Sequence, residues 1–211
     1  MDITIFGATG KVGKRVIVEA VSRGHAVTAV ARMSDRPDSL PAEVKFRTGD
    51  IGNTDDVISL SSGQDVVINA TRPADAQDAV KTTREFLNGL AETQVRTLTV
   101  GGAASLVVPG TGGKTVLDDP RYLEQSIRHI GETSLAQHDE YIAEQRVDWA
   151  YLSPPASLVA GSRTGKYRLG TDQLLVDRDG NSQISMEDLA VVLLDEAEHP
   201  RHQHMRFTAA Y

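Results

Sequence analysis

The sequence contains no cysteine, and only 5% of its residues are aromatic. Without cysteine the chain can form no disulfide, no thiolate nucleophile and no thiolate metal site. Positive charge is also scarce, because the formal net charge is −7. Nucleic-acid binding needs concentrated positive charge to displace counterions, so this balance argues against a nucleic-acid partner.

Long apolar runs are absent as well. No segment approaches the roughly 20 apolar residues that a membrane span needs, and no basic-then-apolar leader precedes Asp2. We therefore expect a cytoplasmic protein with no membrane partner. The 211 residues, 40% of them hydrophobic and 24% charged, predict a single globular domain over residues 1–211 with a substantial core.

The clearest pattern lies close to the start of the chain. A short apolar run, residues 3–6, predicts a buried strand, and an apolar stripe over residues 12–21 at helical spacing predicts a helix that ends at Gly24. Between them stand three glycines. In dinucleotide-binding folds such glycines let the backbone approach a pyrophosphate, and the helix N-terminus points its N–H groups at it. The predicted pyrophosphate-binding residues are Gly7, Thr9, Gly10, Lys11, Val12 and Gly13.

A second predicted strand, residues 25–30, supplies the context that the glycine motif requires. Arg32 follows it, at the place that faces the adenosine ribose in dinucleotide-binding folds. An acidic residue there accepts from the ribose 2′-OH, whereas arginine accommodates a 2′-phosphate. Arg32 therefore favours NADP(H) over NAD(H), with Ser34 or Arg36 as helpers. The alternative interpretation is a surface arginine at a strand end.

Further strands alternate with helical segments, which predicts an α/β fold with a doubly wound parallel sheet. The predicted strands are residues 44–47, 65–70, 95–100 and 147–152. Ligands of such sheets bind beyond the carboxyl ends of the strands. Ala70, Thr71 and Arg72 should therefore lie along the cofactor, although Arg72 could equally face solvent.

Several stretches together resemble a known family. They are Gly7-Ala8-Thr9-Gly10 with Gly13, Ala31-Arg32, Trp149–Pro155, Arg163–Gly170 and Ile184–Asp188. They are similar to the atypical short-chain dehydrogenases with an NAD(P)H-binding domain, in particular the bacterial NADH-flavin reductase group, which is related to biliverdin reductase B and the NmrA-like proteins. The resemblance covers nearly the whole chain and is weakest around residues 111–145.

The resemblance implies a Rossmann domain with a small C-terminal substrate lobe, residues 156–204. It also implies positions around the cofactor. Asp50 and Ile51 would lie by the adenine, Gly101 and Gly102 at the tip of the fifth strand, and Ser153 and Pro154 beside the nicotinamide.

Ser105 stands where ordinary short-chain dehydrogenases carry their catalytic serine, but their partner motif is missing. None of the five tyrosines is followed four residues later by lysine. Carbonyl reduction needs an acid to protonate the developing alkoxide, whereas a flavin accepts hydride directly and spreads the charge over its rings. A flavin, FMN or FAD, is therefore the expected substrate. His138 and Tyr141, on a helix predicted over residues 134–145, are candidate proton donors, unless they simply occupy a solvated helix face.

The leading hypothesis is thus an NAD(P)H-dependent reductase acting on a flavin or another small planar acceptor such as a quinone. A non-catalytic NADP(H) sensor of the NmrA-like kind and an epimerase or carbonyl reductase with a non-standard acid are the alternatives. The sequence leaves open whether the protein is a homodimer.

Two patterns imitate metal sites. Residues 177–188 partly match a calcium loop, but Ser182 replaces the required glycine and Asp188 the final glutamate. We interpret the segment as a tight turn followed by a helix over residues 186–197. His199, His202 and His204 lie in a polar connection and are interpreted as solvated. We therefore predict no metal.

Overall fold

The computed structural model describes residues 1–211, with ten strands and five α-helices. The strands are β1 (Asp2–Phe6), β2 (Ala26–Ala31), β3 (Lys45–Thr48), β4 (Val66–Asn69), β5 (Arg96–Val100), β6 (Trp149–Ser153), β7 (Ser157–Val159), β8 (Arg168–Gly170), β9 (Gln183–Ser185) and β10 (Met205–Ala210). The helices are α1 (Lys11–Ser22), α2 (Thr54–Ser61), α3 (Ala76–Thr93), α4 (Arg128–Ala143) and α5 (Met186–Glu198).

Eight strands form the central sheet in the order β3-β2-β1-β4-β5-β6-β10-β8. Every neighbouring pair is parallel except β10 and β8, which are antiparallel. The strand order reverses at β1, because the chain moves outward to β2 and β3 and then crosses back to β4. The predicted α/β fold with a doubly wound parallel sheet is confirmed.

Helices cover both faces of this sheet. One face packs on α1 and α5 around a core that includes Ile5, Ile17 and Leu193. The other packs on α2, α3 and α4 around Phe6, Phe86 and Tyr151. Burial on both faces explains why β4, in the middle of the sheet, begins with three apolar residues in a row rather than alternating. None of the helices combines the length and the apolarity that crossing a membrane requires.

The segment predicted as a substrate lobe is divided between two places. Within residues 156–204, β7 and β9 pair in a separate two-stranded sheet, whereas α5 packs against α1 on the central sheet. The last strand, β10, joins the central sheet beside β6. Of the strands in this segment, β8 forms the edge of the central sheet, and only β7 and β9 lie outside it.

Candidate functional site

The turn between β1 and α1 is built so tightly that only glycine fits. Gly7 has a φ of +82°, and a Cβ atom on it would lie 2.5 Å from the carbonyl oxygen of Ala70. A Cβ on Gly13 would lie 2.1 Å from the carbonyl oxygen of Gly7. The first helix therefore rests directly on the strand turn, and the tips of β1 and β4 meet where the strand order reverses.

The start of α1 offers unpaired donors at this turn. Its N-cap is Gly10, no side chain caps it, and its first turn contains no acidic residue. The helices α2, α3 and α5 differ, because Asn53, Asp75 and Ser185 each accept a backbone N–H there. Of the four N–H groups that a helix start leaves without a partner inside the helix, that of Gly10 donates to the Gly7 carbonyl oxygen at 2.9 Å. Those of Lys11, Val12 and Gly13 have no acceptor in the chain. Thr9, Lys11 and Val12 lie in the same turn. The cradle fits a pyrophosphate.

Arg32 follows β2 with an exposed side chain that makes no ion pair and no hydrogen bond within the chain. Arg36, expected as a helper, is engaged elsewhere. Its guanidinium donates to the carbonyl oxygens of Val44 at 2.6 Å and Pro41 at 2.5 Å. These bonds stabilise the loop between β2 and β3. The Ser34 hydroxyl donates to Asp35. Arg32 is thus the cation of this trio that remains available.

Asp50 organises the loop after β3. One carboxylate oxygen accepts the N–H of Gly52 at 2.9 Å, and the backbone N–H of Asp50 donates to Asp56 at 2.8 Å. Ile51 packs partly against the core. After β4, the Asn69 amide oxygen accepts both the N–H and the hydroxyl of Thr71. Arg72 is exposed. The residues predicted around the adenine and along the cofactor therefore follow the carboxyl ends of β3 and β4, which lie at the same edge of the parallel sheet with β2 and β1 between them.

Gly101 and Gly102 have a packing function that the sequence did not reveal. A Cβ on Gly101 would lie 1.9 Å from the ring of Tyr151, and one on Gly102 would lie 2.6 Å from the Ser134 side chain. The Tyr151 hydroxyl donates to Gln137 on α4. The two glycines therefore let the tip of β5 approach β6 and α4 closely.

Tyr141 lies in the core and not at the site. Its side chain is fully buried between Trp149 and Tyr151, and its hydroxyl bonds the Thr99 hydroxyl at 2.5 Å. Burial raises the pKa of Tyr141, although hydrogen bonds from Thr99 and Asn69 oppose the effect. The helix α4 turns this tyrosine toward the sheet, so the structure does not place it to donate a proton to a bound substrate.

His138 lies beside Tyr151, with ring centroids 4.7 Å apart, and only 8% of it is exposed. Burial, and secondly the charge of Arg206, lower the pKa of His138 to about 4. The imidazole is therefore neutral at neutral pH and carries no spare proton to transfer. It can still donate one N–H hydrogen bond.

Ser105 hydrogen-bonds a residue that sequence reasoning missed. The Arg206 guanidinium, from β10, donates to the Ser105 hydroxyl at 2.5 Å and also pairs with Asp172. Two residues beyond Arg206 on β10, Thr208 faces Ser153 of β6. Both are fully buried, and neither hydroxyl has a hydrogen-bond partner. Pro154 is buried directly after Ser153.

No three acidic or histidine side chains are grouped as metal ligands require. The carboxylate of Asp177 accepts the N–H groups of Asp179 and Asn181 and closes a turn. His202 bonds Glu196 and stacks on Phe207, and His204 lies against Trp149. A cavity of about 290 Å³, lined by Tyr167, Asp195 and His199 among others, lies beside the end of α5, away from the glycine turn.

A doubly wound sheet with a glycine turn and an uncapped helix at its reversal point defines a dinucleotide-binding Rossmann protein. A family model described as NAD(P)H-binding matches residues 7–200. The chain belongs to this family, and the predicted resemblance to atypical short-chain dehydrogenases is confirmed.

Three relatives illustrate the similarity. The uncharacterized protein YwnB of Bacillus subtilis (strain 168) is 34% identical over 219 residues, which cover 99% of this chain and 97% of that one. The structure of a "putative epimerase" from Bacteroides thetaiotaomicron is 35% identical, with a TM-score of 0.90 over 100% of this chain and 96% of the other. That of a "putative NADH-flavin reductase" from Streptococcus pneumoniae TIGR4 is 29% identical, with a TM-score of 0.85 over 100% and 99%.

Proposed function

We propose that the protein is an NADP(H)-dependent oxidoreductase that passes hydride from the nicotinamide to a flavin or a similar planar acceptor. One observation carries the proposal. The glycine turn and the uncapped start of α1 form a diphosphate cradle at the reversal point of the sheet, and no residue suited to protonating an alkoxide lies nearby. The family membership and the relative named for flavin reduction support the same activity.

The chain's own residues have distinct tasks in this proposal. The N–H groups of Lys11, Val12 and Gly13 hold the diphosphate, because they lack other acceptors and carry the positive end of the helix dipole. Arg32 binds the 2′-phosphate, and Asp50 borders the adenine. The bound coenzyme supplies the hydride at its nicotinamide ring.

The proton-donating side chains near the predicted acceptor position are poorly suited to carbonyl reduction. Ser153 and Pro154 border the nicotinamide, and His138 is neutral. A carbonyl substrate would need a group that releases a proton near neutral pH. Burial raises the pKa of both Tyr141 and Tyr151 and lowers that of His138, so these three groups do not meet that need. A planar acceptor that spreads negative charge over its own rings does not impose it.

The direct experiment mixes purified protein, NADPH and FMN and follows the loss of NADPH absorbance, with the rate of an enzyme-free mixture subtracted. We expect steady turnover. Val18→Ala serves as a control for the effect of substitution as such. Val18 is 58% exposed on α1, so its replacement should leave the rate unchanged.

The alternatives give different results. Tight NADPH binding without turnover of FMN, riboflavin or naphthoquinone would overturn the enzymatic proposal in favour of a cofactor sensor. Turnover of a carbonyl compound that collapses when one imidazole or hydroxyl is removed would instead favour a carbonyl reductase. Absence of binding to both NADPH and NADH would contradict the cradle itself.

A further inference from the structure

Arginine is an unusual residue within a sheet, and Arg206 occupies such a position. It lies on β10, opposite Tyr151 of β6, on the face covered by α4. Only 10% of its side chain is exposed, and its Nε atom is buried without a hydrogen-bond partner. An unpaired donor of a buried guanidinium is costly. The position therefore calls for an acceptor that the protein itself does not supply.

The carboxylate that pairs with Arg206 is poorly held. Asp172 is 71% exposed at its side chain, and apart from Arg206 nothing binds its carboxylate. Its backbone is fixed, because its carbonyl oxygen accepts the N–H of Val107 at 2.8 Å. The carboxylate can therefore swing into solvent about its own side-chain bonds while the loop stays in place. Because the carboxylate end of this pair lies in water, the pair contributes less to stability than a fully buried one would.

Other donors surround the same guanidinium. The Ser105 hydroxyl lies 2.5 Å from it. His138 is also close, because the charge of Arg206 helps to lower the pKa of this histidine. Two residues further along β10 and β6, the hydroxyls of Thr208 and Ser153 are buried and unpartnered. The cluster thus holds one buried cation and several neutral donors, but only a displaceable anion.

We infer that Arg206 and Ser105 form a subsite for an oxyanion of the acceptor, a phosphate or a carboxylate, which takes the place of the Asp172 carboxylate. Guanidinium binds both groups through paired N–H donors. The inference rests on the proposed function, since the subsite adjoins the predicted nicotinamide position. The subsite would add substrate specificity to the proposed function, because the protein would select planar acceptors that carry a negative group. Asp172 would compete with that group for Arg206.

Flavins provide a matched pair of probes, because FMN is riboflavin with an added phosphate. We expect Arg206→Gln to raise the KM for FMN about tenfold or more, the loss typical of a hydrogen bond to a charged group, and to leave riboflavin unchanged. Asp172→Asn should lower the KM for FMN severalfold, again without an effect on riboflavin. A naphthoquinone carboxylate compared with the parent naphthoquinone distinguishes a carboxylate from a phosphate as the preferred group.

Arg201→Gln is the control, because Arg201 is an exposed arginine that makes no ion pair and lines the cavity beside the end of α5. Arg206→Lys keeps the charge and should retain part of the preference, and thermal unfolding checks that each variant is folded. The inference would be overturned if the KM changed equally for charged and neutral acceptors. It would also be overturned if neither the Arg206 variant nor the Asp172 variant changed any KM.

Equilibrium binding, measured by flavin fluorescence, separates the two proposals. If no flavin is reduced but Asp172→Asn still tightens FMN binding, the subsite stands and the proposed reaction falls.

Discussion

The predicted preference for NADPH over NADH depends on one side chain, that of Arg32. It is exposed, it follows β2, and it has no partner of its own. We predict that Arg32→Asp weakens NADPH binding about 10- to 100-fold, because a hydrogen bond between charged groups is replaced by repulsion. NADH, which lacks the 2′-phosphate, should lose less than about threefold by the same reasoning. Titration of each coenzyme by nicotinamide fluorescence measures both constants.

Arg178→Asp is the control for that change, because Arg178 lies in an exposed turn and makes no contact with an acidic residue. It alters the net charge equally but should affect neither coenzyme. Equal losses for NADPH and NADH in the Arg32 variant would contradict the assignment of Arg32 to the 2′-phosphate.

His138 gives a prediction for the pH dependence of stability. Its folded-state pKa is lowered from 6.5 to about 4, so between these values the unfolded chain binds a proton that the folded chain does not. The stability that depends on a neutral His138 is therefore fully present above pH 6.5, and it is lost as the pH falls toward 4. We expect the free energy of unfolding, measured with urea, to decline over this window, and His138→Gln to reduce that slope.

His129→Gln, on the same helix but exposed, should retain the wild-type slope. Carboxylates with lowered pKa, such as Glu19 and Asp188, act below their ordinary values of 4.5 and 3.8, so the interval between pH 6.5 and 5 isolates the histidine. Identical slopes for the wild type and the His138 variant would contradict the burial argument.

Site residues could be predicted from the sequence only where the chain order itself places them. The glycine turn and Arg32 belong to one continuous strand–turn–helix–strand unit, so the spacing predicted their places in the fold, whereas their contacts with a coenzyme remain predictions. Arg206 was missed because its partners, Ser105 and Asp172, are 101 and 34 residues away. Tyr141 was expected near the substrate because α4 lacks a clear apolar stripe, and nothing local shows which face meets the sheet.

Among the elements, the start of α5 depends on a buried carboxylate. Asp188 is fully buried and accepts the N–H groups of Thr164 and Gly165, at 2.7 and 2.8 Å, and the hydroxyl of Tyr211 at 2.7 Å. Burial raises the pKa of Asp188, but these hydrogen bonds outweigh it and lower the pKa overall. One side chain thus joins α5, the turn before β8 and the last residue of the chain.

Asp188→Asn should therefore lower the free energy of unfolding by about 1–3 kcal/mol, because the new amide N–H₂ meets donors instead of accepting from them. Chemical denaturation measures the loss. Asp38→Asn is the control, since Asp38 is exposed and makes no hydrogen bond. A loss no larger than that of the control would show that the carboxylate does not hold these segments together.

Helix boundaries were predictable where capping chemistry is local. Asn53 and Ser185 cap α2 and α5, because a side-chain oxygen of each accepts an N–H two or three residues onward. The pairing of short strands was not predictable. β7, β8 and β9 have three residues each, and nothing in so short a run identifies its neighbour.

At the scale of the whole molecule, the parallel sheet followed from alternating apolar strands and helical segments, since such units wind with one hand. The position of β10 did not follow. Its residues 205–210 have the composition of any apolar strand, and only the packing of α5 on α1 brings it beside β6. The cofactor cradle, by contrast, lies at the reversal of the strand order, which the topology alone requires.

This architecture predicts that the coenzyme stabilises the entire fold, because the cradle joins β1, α1 and β4 at the centre of the sheet. A ligand that binds only the folded state adds about 2.7 kcal/mol at 100 times its Kd. For a domain of this size that corresponds to a rise in Tm of roughly 5–10 °C. We expect this shift with NADPH in thermal unfolding, and a smaller one with 2′,5′-ADP at the same concentration, because 2′,5′-ADP lacks the diphosphate and the nicotinamide. Equal shifts for both ligands would mean that the start of α1 does not grip the diphosphate, and that adenosine contacts alone account for binding.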